Sequence, residues 1–153
     1  MKYVLVLLAF AGIVLSSLAL REHFNDGPAP CYINDRWDCG VVNHSPYAVI
    51  LNIPVAAIGI AGYLLLGALA FRRSYRMMML AVLPALLFSF YLAHVEKDVL
   101  RVWCIYCVGS LGVIVSMSLL LVVANIRGAF QRNDNSASDM RYLKAEAMRN
   151  DPS

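Results

Sequence analysis

Residues 47–71 read YAVILNIPVAAIGIAGYLLLGALAF, a run of 25 positions without Asp, Glu, Lys or Arg. Three further runs of the same kind cover residues 3–20, 77–93 and 102–124, so that 83 of the 153 residues lie in uninterrupted apolar blocks. A helix needs roughly 17–25 apolar residues to cross a bilayer. The sequence therefore predicts an all-α membrane protein with four transmembrane helices, connected by a polar, cysteine-bearing loop between the first two.

The composition excludes several classes of protein for the chain as a whole. Hydrophobic residues make up 60% of the sequence and charged residues 15%, and the mean hydropathy is +0.63. Soluble domains average about 45–50% apolar and about 25% charged residues. A soluble enzyme, a nucleic-acid-binding protein and a disordered chain are therefore excluded. We predict one membrane domain over residues 1–125 and a polar cytoplasmic tail over residues 126–153.

The positions of the basic residues predict the orientation of the four helices. Nine of the 13 basic residues fall on the side that would hold both termini: Lys2, Arg72, Arg73, Arg76, Arg127, Arg132, Arg141, Lys144 and Arg149. Basic residues are enriched on the cytoplasmic side of membrane proteins. Both termini are therefore predicted to be cytoplasmic, and the loops 21–46 and 94–101 face the oxidising side, where disulfides persist.

The first apolar block has a second interpretation as a signal peptide. Lys2 precedes it, and Ser17-Leu18-Ala19 resembles a cleavage site with small residues. Its 18 apolar residues exceed the usual core of about 7–15 in a signal peptide. We therefore expect a retained helix, and cleavage would leave the orientation of the other three spans unchanged.

Cys104 and Cys107 lie at the predicted outer end of the last span. At a spacing of three they share a helix face and are close enough to form a disulfide. The amino terminus of a helix stabilises a thiolate, which favours Cys104 as a reactive sulfur. The alternative is a structural crosslink, but so short a ring removes little chain entropy.

Cys31 and Cys39 lie in the outer loop, with seven residues between them. Alone, such a pair is typical of a structural bridge, whereas two pairs on one membrane face can exchange electrons through a mixed disulfide. Zinc is an alternative, because Cys-x-x-Cys supplies thiolate ligands and His23, His44 and His94 lie on the same face. The wide spacing of Cys31 and Cys39 is unlike that of a zinc knuckle, so we expect no metal.

The electron acceptor is predicted by what the spans contain. The sequence has no G-x-G-x-x-G fingerprint for a dinucleotide and no histidine within a span to ligate haem. Cys107 is one helical turn deeper than Cys104, and therefore nearer the lipid. A quinone dissolved in the membrane is the acceptor that fits this position.

The order of these residues resembles the vitamin K epoxide reductase family and its bacterial thiol-oxidising relatives. The matching pattern is Cys31-x7-Cys39, Ser45 six residues later, Asn52 near the start of the next span, and Cys104-Ile-Tyr-Cys107 at the start of the last span. It covers essentially residues 1–125. The other four-helix, quinone-linked disulfide oxidase of bacteria has its Cys-x-x-Cys pair before its wide pair and fits less well.

The resemblance implies a four-helix bundle around a quinone pocket. By position, Cys31 would exchange with a partner protein, Cys39 would pass electrons to Cys104, and Cys107 would face the quinone. Ser45 would be a polar residue near the pocket, and Asn52 would donate a hydrogen bond to a quinone carbonyl. From the residues alone, Ser45 before a proline is more often a turn or cap residue, and Asn52 can equally satisfy backbone freed by Pro54.

Two departures from the family pattern affect the expected substrate and partner. The vertebrate reductases carry a tyrosine four residues after the last cysteine, where this chain has Leu111; Tyr63, Tyr91 or Tyr106 are possible substitutes. Many bacterial members also carry a fused thioredoxin-like domain, for which the 28 residues after Asn125 are too few. A separate thioredoxin-fold partner is therefore implied.

The sequence thus predicts a monomeric thiol:quinone oxidoreductase that supports disulfide formation, with ubiquinone, menaquinone or vitamin K as its co-substrate and no nucleic-acid partner. We expect it in a bacterial inner membrane, with the endoplasmic reticulum as the alternative. A thiol-driven vitamin K epoxide reductase is the second hypothesis. A non-enzymatic membrane scaffold with structural disulfides or zinc is the third.

Overall fold

The computed structural model describes residues 2–25, 27 and 31–149. The chain forms two compact units, Met1–Leu119 and Leu120–Ser153. Its α-helices are α1 (Lys2–His23), α2 (Cys39–Asn43), α3 (Val55–Phe71), α4 (Tyr75–His94) and α5 (Ile105–Arg149). A 3-10 turn at Pro46–Ala48 precedes a hairpin of β1 (Val49–Ile50) and β2 (Ile53–Pro54), and a π-helix at Val95–Leu100 follows α4.

Three of the described helical segments are long and apolar enough to cross a membrane: Lys2–His23, Tyr75–Leu100 and Ile105–Lys144. The apolar helix α3 has 17 residues, which is at the lower limit of roughly 17–25 for a span. The prediction of a helical, membrane-embedded protein is therefore confirmed. A fourth crossing by α3 stays a prediction.

The predicted start of the second span at residue 47 is wrong, because the helix begins only at Val55. Leu51 and Asn52 have positive φ angles of 52° and 63° and form a two-residue turn, which pairs Ile50 with Ile53. Positive φ at both central positions is typical of the turns that close two-residue hairpins. Pro54 disfavours helix in the residue before it, so the eight residues before Val55 fold as a 3-10 turn and a hairpin.

Small residues bring α1 and α3 into close contact. A Cβ atom added at Gly12 would lie 2.3 Å from the ring of Tyr63, and one added at Gly59 would lie 2.9 Å from Ser16 Oγ. Any larger residue at Gly12 would displace the Tyr63 ring, whose hydroxyl hydrogen bonds with Ser110 of α5. Close packing through glycine is common between membrane helices. These contacts join α1, α3 and the first part of α5 in the unit Met1–Leu119.

Large apolar side chains cover the outside of this unit. Leu7, Phe10, Leu64, Leu80 and Leu87 are each more than half exposed, whereas the polar side chain of Ser16 is buried inside. Exposed apolar surface of this extent indicates contact with a membrane or another apolar partner. With the length of the helices, the distribution is that of a protein embedded in lipid.

The described part of the unit Leu120–Ser153 is helical, from its first residue to Arg149 of α5. The sequence predicts a polar tail over residues 126–153, and residues 126–149 of it are helical. Most of the described side chains in this unit are exposed. Its mixed charge is consistent with a solvated helix.

Candidate active site

The loop between α1 and α2 folds back on itself around the first cysteine pair, Cys31 and Cys39. The backbone N–H of Ile33 donates to the carbonyl of Trp37, and that of Trp37 donates to the carbonyl of Asn34. The Asn34 side chain accepts from the backbone N–H of Arg36 at 3.0 Å, as asparagine does in turns. Cys31 and Cys39 form a disulfide across this loop.

Trp103, the residue before the second pair, is fixed to the same loop by its backbone. Its N–H donates to the carbonyl of Arg36 at 2.8 Å, and its carbonyl accepts from the N–H of Asp38 at 3.1 Å. The rings of Trp37 and Trp103 lie 6.4 Å apart, within the range of favourable aromatic pairs. These two hydrogen bonds set the register that brings Cys39 beside Cys104.

The two cysteine pairs share one buried cluster. Cys31, Cys39, Val42 and Cys104 form its centre, and Cys107 packs against it. Cys39 and Cys104 have no exposed surface, whereas Cys31 keeps 7% of its surface exposed. The structure therefore brings together all four cysteines that the sequence selected. We call Cys31 and Cys39 the loop pair and Cys104 and Cys107 the helix pair; Cys39 and Cys104 are their fully buried members in the cluster.

Asn43 bridges the two pairs, and sequence reasoning did not select it. Its side-chain amide donates to the carbonyl of Cys39 at 2.8 Å and to the sulfur of Cys104 at 3.7 Å. The backbone carbonyl of Asn43 contacts His23 Nδ1 at 2.6 Å. The signal in the sequence was its position four residues after Cys39, because residues four apart lie on the same face of a helix. Asp38 caps that helix by accepting from Gly40 and Val41.

The second pair begins α5. The carbonyl of Cys104 accepts from the N–H of Val108 at 3.0 Å, so Cys104 caps the helix and lies just before the membrane-spanning segment. Cys104 and Cys107 are free thiols. The Cys107 thiol donates a hydrogen bond to the Cys104 sulfur and lowers the pKa of Cys104, although burial acts in the opposite direction. The predicted preference for a thiolate at Cys104 is in agreement with this direction.

A cavity of about 230 Å³ lies beside the second pair, and its walls are mostly apolar. Cys107 and Tyr106 of α5 line it, together with residues of α1, α3 and α4. Polar groups form the smaller part of the described walls. They belong to Ser16, His23, Asn43, Ser45, Tyr47, Tyr63, Ser89, Glu96, Tyr106, Cys107 and Ser110. An apolar pocket with a small number of polar groups is typical of a site for a small organic ligand.

Ser45 and Asn52 lie in different surroundings. Ser45 is buried, lines the cavity and donates from Oγ to the carbonyl of Val42 at 2.7 Å. Asn52 is exposed at the hairpin turn and is absent from the described cavity wall. The expectation that Asn52 lies in the first turns of a helix is therefore wrong, because the turn that includes it precedes Val55.

The tyrosines proposed as substitutes for the missing family tyrosine also differ. Leu111, at the position of departure, lines the cavity, as do Tyr63 and Tyr106. Tyr91 is 53% exposed and does not belong to the described wall. Two of the three candidate tyrosines therefore border the cavity.

Glu96 is a second residue that sequence reasoning missed. The sequence assigned residues 94–101 to a polar outer loop, but residues 95–100 form a π-helix and Glu96 points inward. Its Oε2 accepts from the backbone N–H of Cys104 at 3.0 Å. As for metals, residues 2–25, 27 and 31–149 contain no group of three or more His, Cys, Asp or Glu side chains arranged to hold an ion.

Comparison with protein families places this arrangement in a known context. A family model described as "Vitamin K epoxide reductase family" matches residues 3–124. The match includes all four cysteines, the cavity and the predicted membrane helices.

Proposed function

Because the chain belongs to the vitamin K epoxide reductase family, we propose that it is a thiol:quinone oxidoreductase that oxidises a thioredoxin-fold partner and supports disulfide formation. The observation that carries the proposal is the burial of Cys39 and Cys104 in one cluster, with Cys107 on the wall of an apolar cavity. Cysteine pairs in one cluster can exchange electrons by thiol–disulfide exchange, and the cavity offers a place for a lipid-soluble acceptor.

The reaction begins at the loop pair. A thiolate of the reduced partner attacks the Cys31 sulfur, the Cys31–Cys39 bond breaks, and Cys39 leaves as a thiolate. The second thiol of the partner then attacks the mixed disulfide and releases Cys31, so that the partner leaves oxidised. Exposure supports this order of attack, because Cys31 is 7% exposed and Cys39 is fully buried.

Electrons next pass between the pairs. The Cys39 thiolate attacks Cys104 of an oxidised Cys104–Cys107 pair and releases Cys107. Cys31 then attacks Cys39, which restores the Cys31–Cys39 disulfide and leaves Cys104 and Cys107 as thiols. The observed state, with the loop pair bonded and the helix pair free, corresponds to the end of this step.

The last step oxidises the helix pair. Cys104 and Cys107 form a disulfide, which releases two electrons and two protons, and a quinone accepts both to become a quinol. Ubiquinone or menaquinone fits this role in a bacterial inner membrane. Two polar contacts to the quinone are predicted, by Ser45 and by Asn52, and of these Ser45 lines the described cavity. A quinone contact by Asn52 stays a prediction, because its side chain is exposed at the hairpin turn.

We place the cysteine loops on the extracytoplasmic face and both termini in the cytoplasm. The basic residues support this orientation, since nine of 13 fall on the side of the termini. The partner would then act in trans on one monomer from the oxidising side. Tyr32 and Ile33, which follow Cys31 and are 57% and 64% exposed, would be the first side chains that it meets.

Replacement of Cys107 by Ala tests the proposal. Purified protein in lipid nanodiscs is supplied with reduced thioredoxin and short-chain ubiquinone, and quinol formation is followed by absorbance. We expect turnover in the unmodified protein and its complete loss in C107A, because the sulfur on the cavity wall is gone. The matched control is S116A, an exposed serine on the same helix, with turnover like the unmodified protein. Full activity of C107A would disprove the scheme.

A further inference from the structure

Glu96 is a buried carboxyl group next to the second cysteine pair. Only 3% of its surface is exposed, and it forms no salt bridge within the described part of the chain. Its neighbours Lys97 and Asp98 are exposed, and Asp98 pairs with His94 instead. Burying a carboxyl group without a cation is costly, so such a group calls for an explanation.

The backbone around Glu96 turns it inward. It belongs to the π-helix Val95–Leu100, which ends at Arg101 in a left-handed conformation with φ 55°. π-Helical segments are rare and are frequent at functional sites. The carbonyl of Glu96 accepts from Val102 at 3.2 Å, and its side chain accepts from the N–H of Cys104 at 3.0 Å. Glu96 therefore holds the segment that leads into the second pair.

The Glu96 carboxyl and the Cys107 thiol interact electrostatically, and both side chains line the cavity. Other titratable side chains on the described wall are His23, Tyr47, Tyr63 and Tyr106. Tyr63 is occupied by Ser110, and His23 contacts the carbonyl of Asn43. Of these described groups, Glu96 is the one that interacts with the Cys107 thiol and also accepts from the backbone N–H of Cys104.

The reaction assigned to the second pair needs a route for protons. Two thiols lose two protons when they become a disulfide, and a quinone gains two when it becomes a quinol. Mostly apolar walls limit the water that could carry them. A carboxyl group in contact with a thiol and with the cavity accepts a proton from one and donates it to the other.

We propose that Glu96 is the proton-transfer residue of quinone reduction. Its carboxylate accepts the Cys107 proton as the Cys104 thiolate and Cys107 form their bond, and then donates it to an oxygen of the reduced quinone. The second proton, which Cys104 gave up to water on becoming a thiolate, returns to the quinol from water. Glu96 ends the cycle in the state in which it began. This inference rests on the proposed function, because it concerns the same reaction.

The simplest alternative is that Glu96 only anchors the backbone of Cys104. Glu96→Gln separates the two roles, because the amide oxygen still accepts from the Cys104 N–H but cannot take up a proton. In the nanodisc assay we expect E96Q to reduce quinone about 10²-fold more slowly at pH 7, within the usual effect of a general acid–base group. Its rate should then rise with pH, as hydroxide replaces the carboxylate.

A second measurement isolates the step. Without quinone, the Cys31–Cys39 disulfide of E96Q should oxidise one equivalent of reduced thioredoxin at the rate of the unmodified protein, since Glu96 acts after that exchange. The matched control is E22Q, which alters a carboxyl that is also 3% exposed but does not line the described cavity. E22Q should keep the unmodified rate and pH profile.

Three results would overturn the inference: quinone reduction by E96Q with an unchanged rate and pH profile, an equal loss in the thioredoxin half-reaction, or an equal loss in E22Q. The second would make Glu96 a structural anchor, and the third would reflect only the loss of a buried charge. Failure of the unmodified protein to reduce quinone would instead disprove the proposed function, and with it this inference, and that result requires no variant.

Discussion

The two cysteine pairs have the same sulfur chemistry in contrasting surroundings. Cys31 and Cys39 close a folded polar loop, beside the exposed side chains of Tyr32 and Ile33. Cys104 and Cys107 begin a membrane helix beside an apolar cavity, and Cys104 has no exposed surface. Under the proposed function, one pair would meet a protein in water and the other a molecule in lipid.

Under the proposed function, the protein partner would act at the loop that holds Cys31 and Cys39, and the quinone would act at the cavity beside Cys107. Two backbone hydrogen bonds, from Trp103 to Arg36 and from Asp38 to Trp103, hold the loop against the start of α5. They help to hold Cys39 and Cys104 in one buried cluster, where the two pairs come together.

Cys39→Ala has the largest expected effect, because it removes the step that connects the loop pair with the helix pair. Cys31 can still form a mixed disulfide with the partner, but no thiolate remains to carry electrons to Cys104. We expect turnover with reduced thioredoxin and short-chain ubiquinone to fall roughly 10³-fold or more, as for the loss of an essential nucleophile. In the presence of a single-cysteine thioredoxin carrying an activated disulfide, a covalent complex through Cys31 should accumulate and be visible on non-reducing gels.

Cys31→Ala is the matched control for that trap. It should be equally inactive in turnover but form no such complex, because the more exposed sulfur of the loop pair is absent. Equal trapping by both variants would mean that the partner attacks either sulfur, and the distinct roles of Cys31 and Cys39 would have to be abandoned.

Local sequence patterns predicted the parts of the site that depend on spacing. The apolar blocks identified three of the membrane-spanning segments, and the Cys-x-x-Cys spacing placed Cys104 and Cys107 at the start of α5. The family pattern also selected Ser45, which lines the cavity. Each of these features is set within a few residues of the chain.

Tertiary contacts decided what the sequence did not reveal. Asn43 and Cys104 are 61 residues apart, so no local pattern signals their hydrogen bond. Apolar composition alone did not separate the hairpin of residues 49–54 from the helix that follows it, since β-branched residues occur in both. The inward position of Glu96 depends on a π-helix that adds a residue to the turn, which hydropathy does not detect.

Asn43→Ala tests the link between the loop pair and the helix pair without removing a sulfur. The change deletes the donor to Cys104 Sγ and to the carbonyl of Cys39. A hydrogen bond contributes about 1 kcal/mol, so we expect transfer from the loop pair to the helix pair to slow by about five- to tenfold. Acid quenching followed by mass spectrometry of alkylated cysteines measures that step.

The control for Asn43 is Val41→Ala, an exposed residue of the same short helix, which should leave the transfer rate unchanged. If N43A transfers electrons as fast as the unmodified protein, the amide would be a packing group only. The register set by Trp103 would then be sufficient to hold Cys39 beside Cys104.

The smallest expected effect concerns the thiolate at Cys104. Its pKa is lowered mainly by the hydrogen bond from the Cys107 thiol, so a hydroxyl donor at position 107 should keep it low and a methyl group should not. In C107S and C107A, Cys104 is the one titrating thiol while Cys31–Cys39 stays bonded, and thiolate absorbance at 240 nm reports it directly. We expect Cys104 to titrate at a lower pH in C107S than in C107A, because a hydrogen-bond donor stabilises the charged sulfur. If the two variants have the same midpoint, the low pKa of Cys104 would come from the start of α5 and not from the Cys107 thiol. The backbone would then account for the difference between the helix pair and the loop pair.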